Sequence, residues 1–168
     1  MNLRHIQLIW SVLILSGVVS CKTRSVTPVT PDVGVSTQEM NTRFVIRTPR
    51  EINSFQINDR LYIEIKAISG GAEKDVAFQS DFGVRMFAEK ENQWIEIKND
   101  VQYREGEGSL ILSPAGGNLK PYLQIYKPVL QDVGKTTTVR IFLVGNIMEN
   151  GKVTDITTGA YIDVELKP

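Results

Sequence analysis

The chain of 168 residues balances 19 basic against 19 acidic side chains and contains a single histidine and a single cysteine. No block of like charge interrupts this balance, so the sequence does not favour nucleic acid or an anionic membrane surface as a partner. One cysteine excludes an intramolecular disulfide, and the stability of the folded part has to come from its apolar core.

The first twenty residues have the layout of a secretory signal. Arg4 lies in a short polar start, and residues 6–19 form a mainly apolar run that ends in small residues. A run of this length is too short to cross a bilayer core, which needs about 20 residues. The pattern predicts a cleaved signal peptide over residues 1–20. Two alternatives stay open, a core helix at the N-terminus and a secretory signal that is cut at another position.

The end of this segment carries the only cysteine. Val18-Val19-Ser20-Cys21 resembles the lipobox of bacterial lipoproteins, an aliphatic residue and two smaller ones followed by the lipidated cysteine. The resemblance implies that Cys21 becomes the mature N-terminus, acylated with fatty acids such as palmitate and bound to membrane lipid. It also implies an extracytoplasmic protein anchored in the cell envelope. In lipoproteins, an Asp directly after the cysteine marks retention in the inner membrane. The resembling position here is Lys22, and the absence of Asp favours the outer membrane in a cell that has one.

Such processing would remove the most reactive side chains. His5 would leave with the signal, and the Cys21 thiol would become a thioether. The mature chain would keep 18 basic and 19 acidic residues, because Arg4 is the one Lys, Arg, Asp or Glu residue of the signal. It would have no imidazole or thiol for nucleophilic, acid–base or metal chemistry. We therefore expect no catalytic residue, no metal and no cofactor, and a non-enzymatic role in binding or envelope assembly.

Residues 21–39 are predicted to be a flexible linker. The segment after the cysteine is rich in Thr, Ser, Val and Pro, has no aromatic residue, and places Pro28 and Pro31 three residues apart. Prolines favour extended backbone and remove hydrogen-bond donors. An N-terminal edge strand at Val33-Gly34-Val35 is the alternative. Residues 40–168 remain as one folded domain, long enough to bury a core.

The domain sequence predicts an all-β fold. Short runs of alternating apolar and polar residues recur between turn residues, and no helical period of useful length is present. Predicted strands cover residues 43–47, 61–68, 82–88, 94–98, 109–113 and 122–126. The two strands at 82–88 and 94–98 are expected to form a hairpin, since a short polar segment joins them.

A second hairpin is predicted at the C-terminal end. Asn150-Gly151 is the preferred pair for a two-residue type I′ turn, because both positions tolerate a positive φ. The register that this turn sets pairs Glu149 with Lys152, Val139 with Ile162 and Ile141 with Ala160. Opposed residues share a face, so the apolar side chains of the two strands coincide. A bulge or wider loop at residues 155–159 is the alternative to continuous pairing.

Residues 131–140 resemble the corner before strand F of immunoglobulin-like domains. Asp132 and Gly134 match its Asp-x-Gly-x-Tyr motif, while Thr136 stands where the tyrosine belongs. About seven strands separated by turns also fit such a domain, although its two inter-sheet cysteines are missing. The resemblance implies an immunoglobulin-like sandwich of about seven strands. A small β-barrel and an open sandwich of other topology are the alternatives.

Aromatic residues supply the candidate binding positions, with an envelope protein or a glycan as the expected partner. The candidates are Trp94, Tyr103, Tyr62 and Tyr161. Because the loops of a sandwich cluster at its two ends, residues 146–159 and 113–120 are the expected contact loops. Two other function classes stay open. A carbohydrate-binding domain would stack sugars on these rings, and a histidine-free hydrolase would need two facing carboxylates.

Overall fold

The computed structural model describes residues 28–48, 54–56, 59–68, 74–97, 100–102, 110–114, 118–119, 122–124 and 135–168. Across these ranges the chain is all-β and contains no helix, which confirms the predicted all-β class. Within the same ranges, no helix is long and apolar enough to span a bilayer. The predicted signal peptide, Cys21 and the Asp132 and Gly134 motif lie outside the described residues.

Thirteen strands are present in the described chain. Their bounds are β1 (Phe44–Arg47), β2 (Ser54–Gln56), β3 (Arg60–Tyr62), β4 (Glu64–Ala67), β5 (Val76–Phe78), β6 (Arg85–Lys90), β7 (Gln93–Ile97), β8 (Asp100–Gln102), β9 (Leu110–Leu112), β10 (Asn118–Leu119), β11 (Tyr122–Gln124), β12 (Thr137–Glu149) and β13 (Lys152–Lys167). β12 and β13 are much longer than the other strands and form the central hairpin of the domain.

These strands form three hydrogen-bonded sheets. The largest has the order β2-β13-β12-β5-β9, and β6, which carries β7, also pairs with β12. The two smaller sheets have the orders β1-β4-β10 and β3-β11-β8. The β2–β13 pair is parallel, and the other pairs of described strands are antiparallel.

One apolar core lies against the inner face of the largest sheet. Val139 and Ile141 alternate along β12 and are fully buried on that face. Phe44 of β1, Ile65 of β4 and Leu61 of β3 belong to the same cluster of buried side chains. The core therefore joins the largest sheet to both smaller sheets, and its burial of aliphatic and aromatic surface is the main source of stability.

The predicted strand at residues 61–68 is divided in the structure. β3 ends at Tyr62 and β4 begins at Glu64, and the two halves belong to different small sheets. The predicted alternation is nevertheless kept, because Leu61 and Ile65 are both buried. Alternation reports which face a side chain occupies, and it carries no information about which strand lies alongside.

The hairpin predicted between residues 82–88 and 94–98 is confirmed. β6 pairs with β7 from Met86 opposite Ile97 to Lys90 opposite Gln93. The two turn residues, Glu91 and Asn92, have φ values of 51° and 62°. Both therefore occupy the left-handed region that a two-residue hairpin turn requires.

The C-terminal hairpin confirms the predicted turn and corrects the predicted register. Asn150 and Gly151 have φ values of 51° and 74°, and Glu149 pairs with Lys152 as expected. Further from the turn, the predicted pairing of Ile141 with Ala160 is wrong by two residues. Ile141 faces Ile162 instead.

A bulge in β13 causes this shift. Asn146 pairs with Thr157 and Met148 pairs with Val153, so three residues of β13 lie opposite the single residue Ile147. The Thr154 hydroxyl closes the bulge by donating to the Ile147 carbonyl at 2.7 Å. Because two residues are added, every side chain beyond the bulge keeps its face of the sheet.

Candidate functional site

The largest sheet presents a second set of side chains on the side away from the main core, which we call the outer face. On β12 this set includes Arg140 and Phe142, which alternate with the core residues. The strand register places Arg140 between Phe87 of β6 and Asp163 of β13. The same register places Phe142 beside Tyr161. The outer face therefore brings charged and aromatic side chains together across neighbouring strands.

Arg140 is the centre of this face. Its Nε and Nη2 donate to Oδ1 and Oδ2 of Asp163, each at 2.7 Å. The guanidinium carbon also lies 4.7 Å from the ring centroid of Trp94 and 4.5 Å from that of Tyr161. The hydrogen bonds to Asp163 are the main cause of a raised Arg140 pKa. Arg140 is therefore a permanently charged, fully oriented cation between two rings.

We expect Arg140→Lys to destabilise the domain by about 1–2 kcal/mol although it keeps the charge. Lysine cannot make the paired hydrogen bonds to Asp163 and has no planar group to stack between Trp94 and Tyr161. Chemical denaturation measures the free energy of unfolding. Arg47→Lys, at an exposed arginine of β1, is the matched control. Equal losses in the two variants would show that Arg140 contributes charge alone.

A second arginine on the outer face makes a more exposed ion pair. Arg85 Nε and Nη2 donate to Oε1 and Oε2 of Glu96 at 2.8 and 3.0 Å, and its guanidinium carbon lies 5.2 Å from the Phe87 centroid. The two charged side chains remain 39% and 51% exposed. The hydrogen bonds from Arg85 lower the Glu96 pKa. Solvent screens a pair this exposed, so its contribution to stability is small.

The lowered Glu96 pKa gives a prediction about acid stability. A carboxylate whose pKa is lower in the folded state stabilises the fold above its unfolded pKa of about 4.3, and the benefit is lost as the pH falls through the folded pKa. Wild type is therefore expected to exceed Glu96→Gln slightly in stability at pH 6, with the gap closing toward pH 3. Parallel thermal unfolding of both proteins checks this. A gap that stays constant between these pH values would contradict it.

Residues 28–39, which we call the strap, pass over the outer face. Val33 is 9% exposed and packs with Phe87 and Phe142 in an apolar cluster separate from the main core. Arg85 Nη1 donates to the carbonyl of Asp32 at 2.9 Å. The second half of the segment predicted as a linker therefore makes specific contacts with the sheet.

Further observations describe the contacts and the backbone conformation of the strap. The Thr157 hydroxyl donates to the Gly34 carbonyl at 2.7 Å, and Arg140 Nη1 donates to the Thr30 hydroxyl at 3.3 Å. The backbone of residues 33–35 forms no strand, so the alternative edge strand is not present. A Cβ on Gly159 would lie only 3.2 Å from Cγ2 of Val35. The absence of a side chain at Gly159 thus lets the end of the strap approach β13 closely.

The structure brings together two of the predicted binding residues. Trp94 and Tyr161 both lie on the outer face, and Arg140 covers one face of each ring. Tyr62 is exposed on β3, which belongs to another sheet. Tyr103 lies outside the described residues.

The contact loop predicted at residues 146–159 is the outer half of the β12–β13 hairpin. We call residues 146–157 the hairpin tip. Val153 and Ile156 of the tip are 59% and 50% exposed, among the most exposed large apolar side chains described. Lys74 forms an ion pair with Glu149 beside the turn. A shallow polar cavity of about 470 Å³ opens there, lined by Lys74, Asp75, Met148, Glu149, Asn150 and Gly151.

The described residues contain neither a buried carboxylate nor a group of candidate metal ligands. Their buried polar side chains are those of Thr48 and Thr158, and no carboxylate is buried among them. No group of three or more His, Cys, Asp or Glu residues in the described ranges is placed to hold a metal ion.

Sequence reasoning missed the central residue of the outer face. Strand parity places Arg140 on the same face as Tyr161 and Asp163, but the predicted register put Arg140 opposite Tyr161 rather than Asp163. A register that allows for the bulge pairs Arg140 with Asp163. The sequence would then have predicted a pair of opposite charges facing each other across the two strands. Val33 had no such signal, because its contact with Phe87 and Phe142 is remote in sequence.

Comparisons with known proteins add no family. No protein-family model matches the sequence, and no curated protein matches it significantly. Among solved structures, a chain described as "AvmM Catalyzes Macrocyclization in Alchivemycin A Biosynthesis" is 10% identical. The alignment covers 77% of this chain and 91% of that chain, with a TM-score of 0.35. A similarity this distant carries no inference about what this chain does.

Proposed function

We propose that the chain is an extracytoplasmic lipoprotein whose folded body is a non-enzymatic binding or envelope-assembly module. The lipobox-like sequence Val18-Val19-Ser20-Cys21 supports the anchor. Acyl chains on Cys21 would supply membrane affinity of about 0.8 kcal/mol for each buried CH₂, and two or more chains hold stably. An immunoglobulin-like sandwich is the proposed fold of the body, supported by the packing of the largest sheet against two smaller ones around one core.

The path of the strap carries the proposal. Thr30 contacts Arg140, which lies far from the turn of the β12–β13 hairpin. Gly34 contacts Thr157, which is nearer the turn. The strap therefore runs from Pro28 toward the tip. Asn150 lies ten residues beyond Arg140 along the hairpin, about 33 Å at the rise of a strand. The start of the strap and the hairpin tip thus lie toward opposite ends of the outer face.

We propose the hairpin tip as the contact site and an envelope protein as its partner. The tip lies far from the start of the strap and exposes Val153 and Ile156 next to the charged residues Lys152 and Asp155. Apolar side chains surrounded by polar ones are typical of a protein–protein contact. The exposed pair is aliphatic, and aliphatic side chains lack the flat ring on which sugars stack.

Site-specific photocrosslinking in the native envelope tests this proposal. A crosslinking residue at position 153 or 156 is expected to give the same protein adduct, and Val153→Asp should abolish the adduct formed from position 156. The matched control is position 62, since Tyr62 is equally exposed but lies in another sheet. Adducts of equal yield from position 62, or adducts with lipid alone, would overturn the tip as a contact site.

A further inference from the structure

The strap is joined to the outer face by few contacts. Val33 is the one buried side chain among residues 28–39, and the others are partly or fully exposed. Hydrogen bonds from Arg85 to Asp32, from Thr157 to Gly34 and from Arg140 to Thr30 add to it. At the end of the strap, the Glu39 carbonyl accepts a hydrogen bond from Thr158. Ordering a segment of chain costs conformational entropy at every residue. The packing of Val33, with the partly buried Val35, is the apolar contact that offsets this cost. Segments held by few buried contacts are the ones that open locally.

The residues that directly follow the strap are held more firmly. Met40 forms a bridge with Gly159, and the Asn41 amide donates to the Gly159 carbonyl at 2.7 Å. The Asn41 side chain in turn accepts a hydrogen bond from the Tyr161 amide at 3.1 Å. Residues 40 and 41 are therefore a fixed attachment point. The strap, which precedes them in the chain, can separate from the sheet while they stay in place.

Docking changes the length of chain between Cys21 and the body. When the strap is docked, six residues separate Cys21 from Pro28, and the extended chain from Cys21 to Pro28 reaches at most about 25 Å. When the strap is released as far as Met40, eighteen residues separate Cys21 from Met40, and the extended chain between them reaches at most about 65 Å. Release of the strap thus more than doubles the distance that the body can stand from its anchor.

We infer that strap docking sets the reach of the anchored body. The docked strap holds the body close to the membrane that carries the acylated cysteine, and the released strap lets the hairpin tip contact a partner further away. This inference rests on the proposed function, since only a chain anchored at Cys21 converts docking of the strap into height above the membrane.

Two substitutions in the same segment separate docking from a general effect of charge. Val33→Asp places a carboxylate in the apolar cluster with Phe87 and Phe142, and is expected to release the strap. Val29→Asp is the matched control, because Val29 is 89% exposed. Val33→Thr keeps the shape of the side chain and is expected to act in the same direction more weakly. It replaces Val33→Asp should that variant fail to fold.

The first readout is height above a membrane. The acylated full-length mature protein is placed in phosphatidylcholine liposomes, with a fluorophore on a cysteine introduced at position 156 and an acceptor on the lipid headgroups. Val33→Asp should show lower energy transfer than wild type, and Val29→Asp should match wild type. Equal transfer in wild type and Val33→Asp, or an equal fall in Val29→Asp, would overturn the inference.

The second readout is hydrogen exchange of the amides at residues 29–35 in the same proteins. Val33→Asp should exchange faster there than wild type and Val29→Asp. Faster exchange without a change in energy transfer would refute control of reach while leaving the lipid anchor intact. A wild-type protein that shows no energy transfer to the lipids at all would instead refute the anchor, and the inference with it.

Discussion

Replacing Phe142 by alanine is expected to lower the free energy of unfolding by about 3–5 kcal/mol, as for other large-to-small changes of buried aromatic residues. Phe142 is fully buried although it points away from the main core. Its ring centroid lies 5.7 Å from that of Phe87 and 5.5 Å from that of Tyr161. The substitution would also remove part of the surface on which Val33 packs. Denaturant unfolding followed by tryptophan fluorescence measures the loss.

Two further variants make this result specific. Phe142→Leu keeps most of the apolar volume and should lose clearly less stability than Phe142→Ala. Ile156→Ala removes apolar atoms from a half-exposed side chain of the hairpin tip and should change stability by less than about 1 kcal/mol. A loss of similar size in Phe142→Ala and Ile156→Ala would show that the outer face is not a second packed layer.

Replacing Cys21 by alanine is expected to abolish the incorporation of fatty acid. Cells grown with an alkyne-tagged palmitate analogue should label the wild-type protein, and the label should disappear completely in Cys21→Ala. The physical reason is that the thiol of Cys21 is the only one in the chain, and the resemblance to a lipobox assigns the acyl chains to it. Gel fluorescence after click chemistry measures the label.

The control for this experiment is a substitution just beyond the cysteine. Thr23→Ala leaves Val18-Val19-Ser20-Cys21 intact and should keep the wild-type level of label. Equal labelling of Cys21→Ala and wild type would contradict acylation of this thiol. Loss of label in both variants would show that the motif ending at Cys21 does not define the modified sequence.

The sequence was sufficient to predict the all-β class, because a strand with one buried face has alternating apolar and polar residues. Leu61 and Ile65 alternate with polar residues, and their burial follows from that alternation. The turn at Asn150-Gly151 was equally readable, since two adjacent residues with positive φ need this type of pair. Local patterns of this kind depend only on neighbouring residues.

The register of the C-terminal hairpin could not be read in the same way. The bulge opposite Ile147 adds two residues to β13, and an even number leaves the alternation of both strands unchanged. Ile141 opposite Ile162 and Ile141 opposite Ala160 are therefore equally compatible with the apolar pattern. Only the pairing of Arg140 with Asp163 favours the observed register, and that depends on charge rather than on apolar alternation.

The outer face was predictable in part. Trp94 and Tyr161 were identified as aromatic candidates, but Arg140, which joins them, was not. The strap was the least predictable part. Its Pro- and Thr-rich composition is typical of a linker, and one valine that packs against Phe87 and Phe142 does not alter that composition. Contacts between the strap and the sheet span about fifty to more than one hundred residues of sequence, and no local pattern records them.

Intact mass spectrometry of the protein extracted from membranes tests the anchor most directly. The expected mass is that of residues 21–168 with fatty acids carried by the sulfur and the new amino terminus of Cys21. A mass that corresponds to the full 168-residue chain, beginning at Met1 with an unmodified thiol, would contradict the lipid anchor and everything proposed from it.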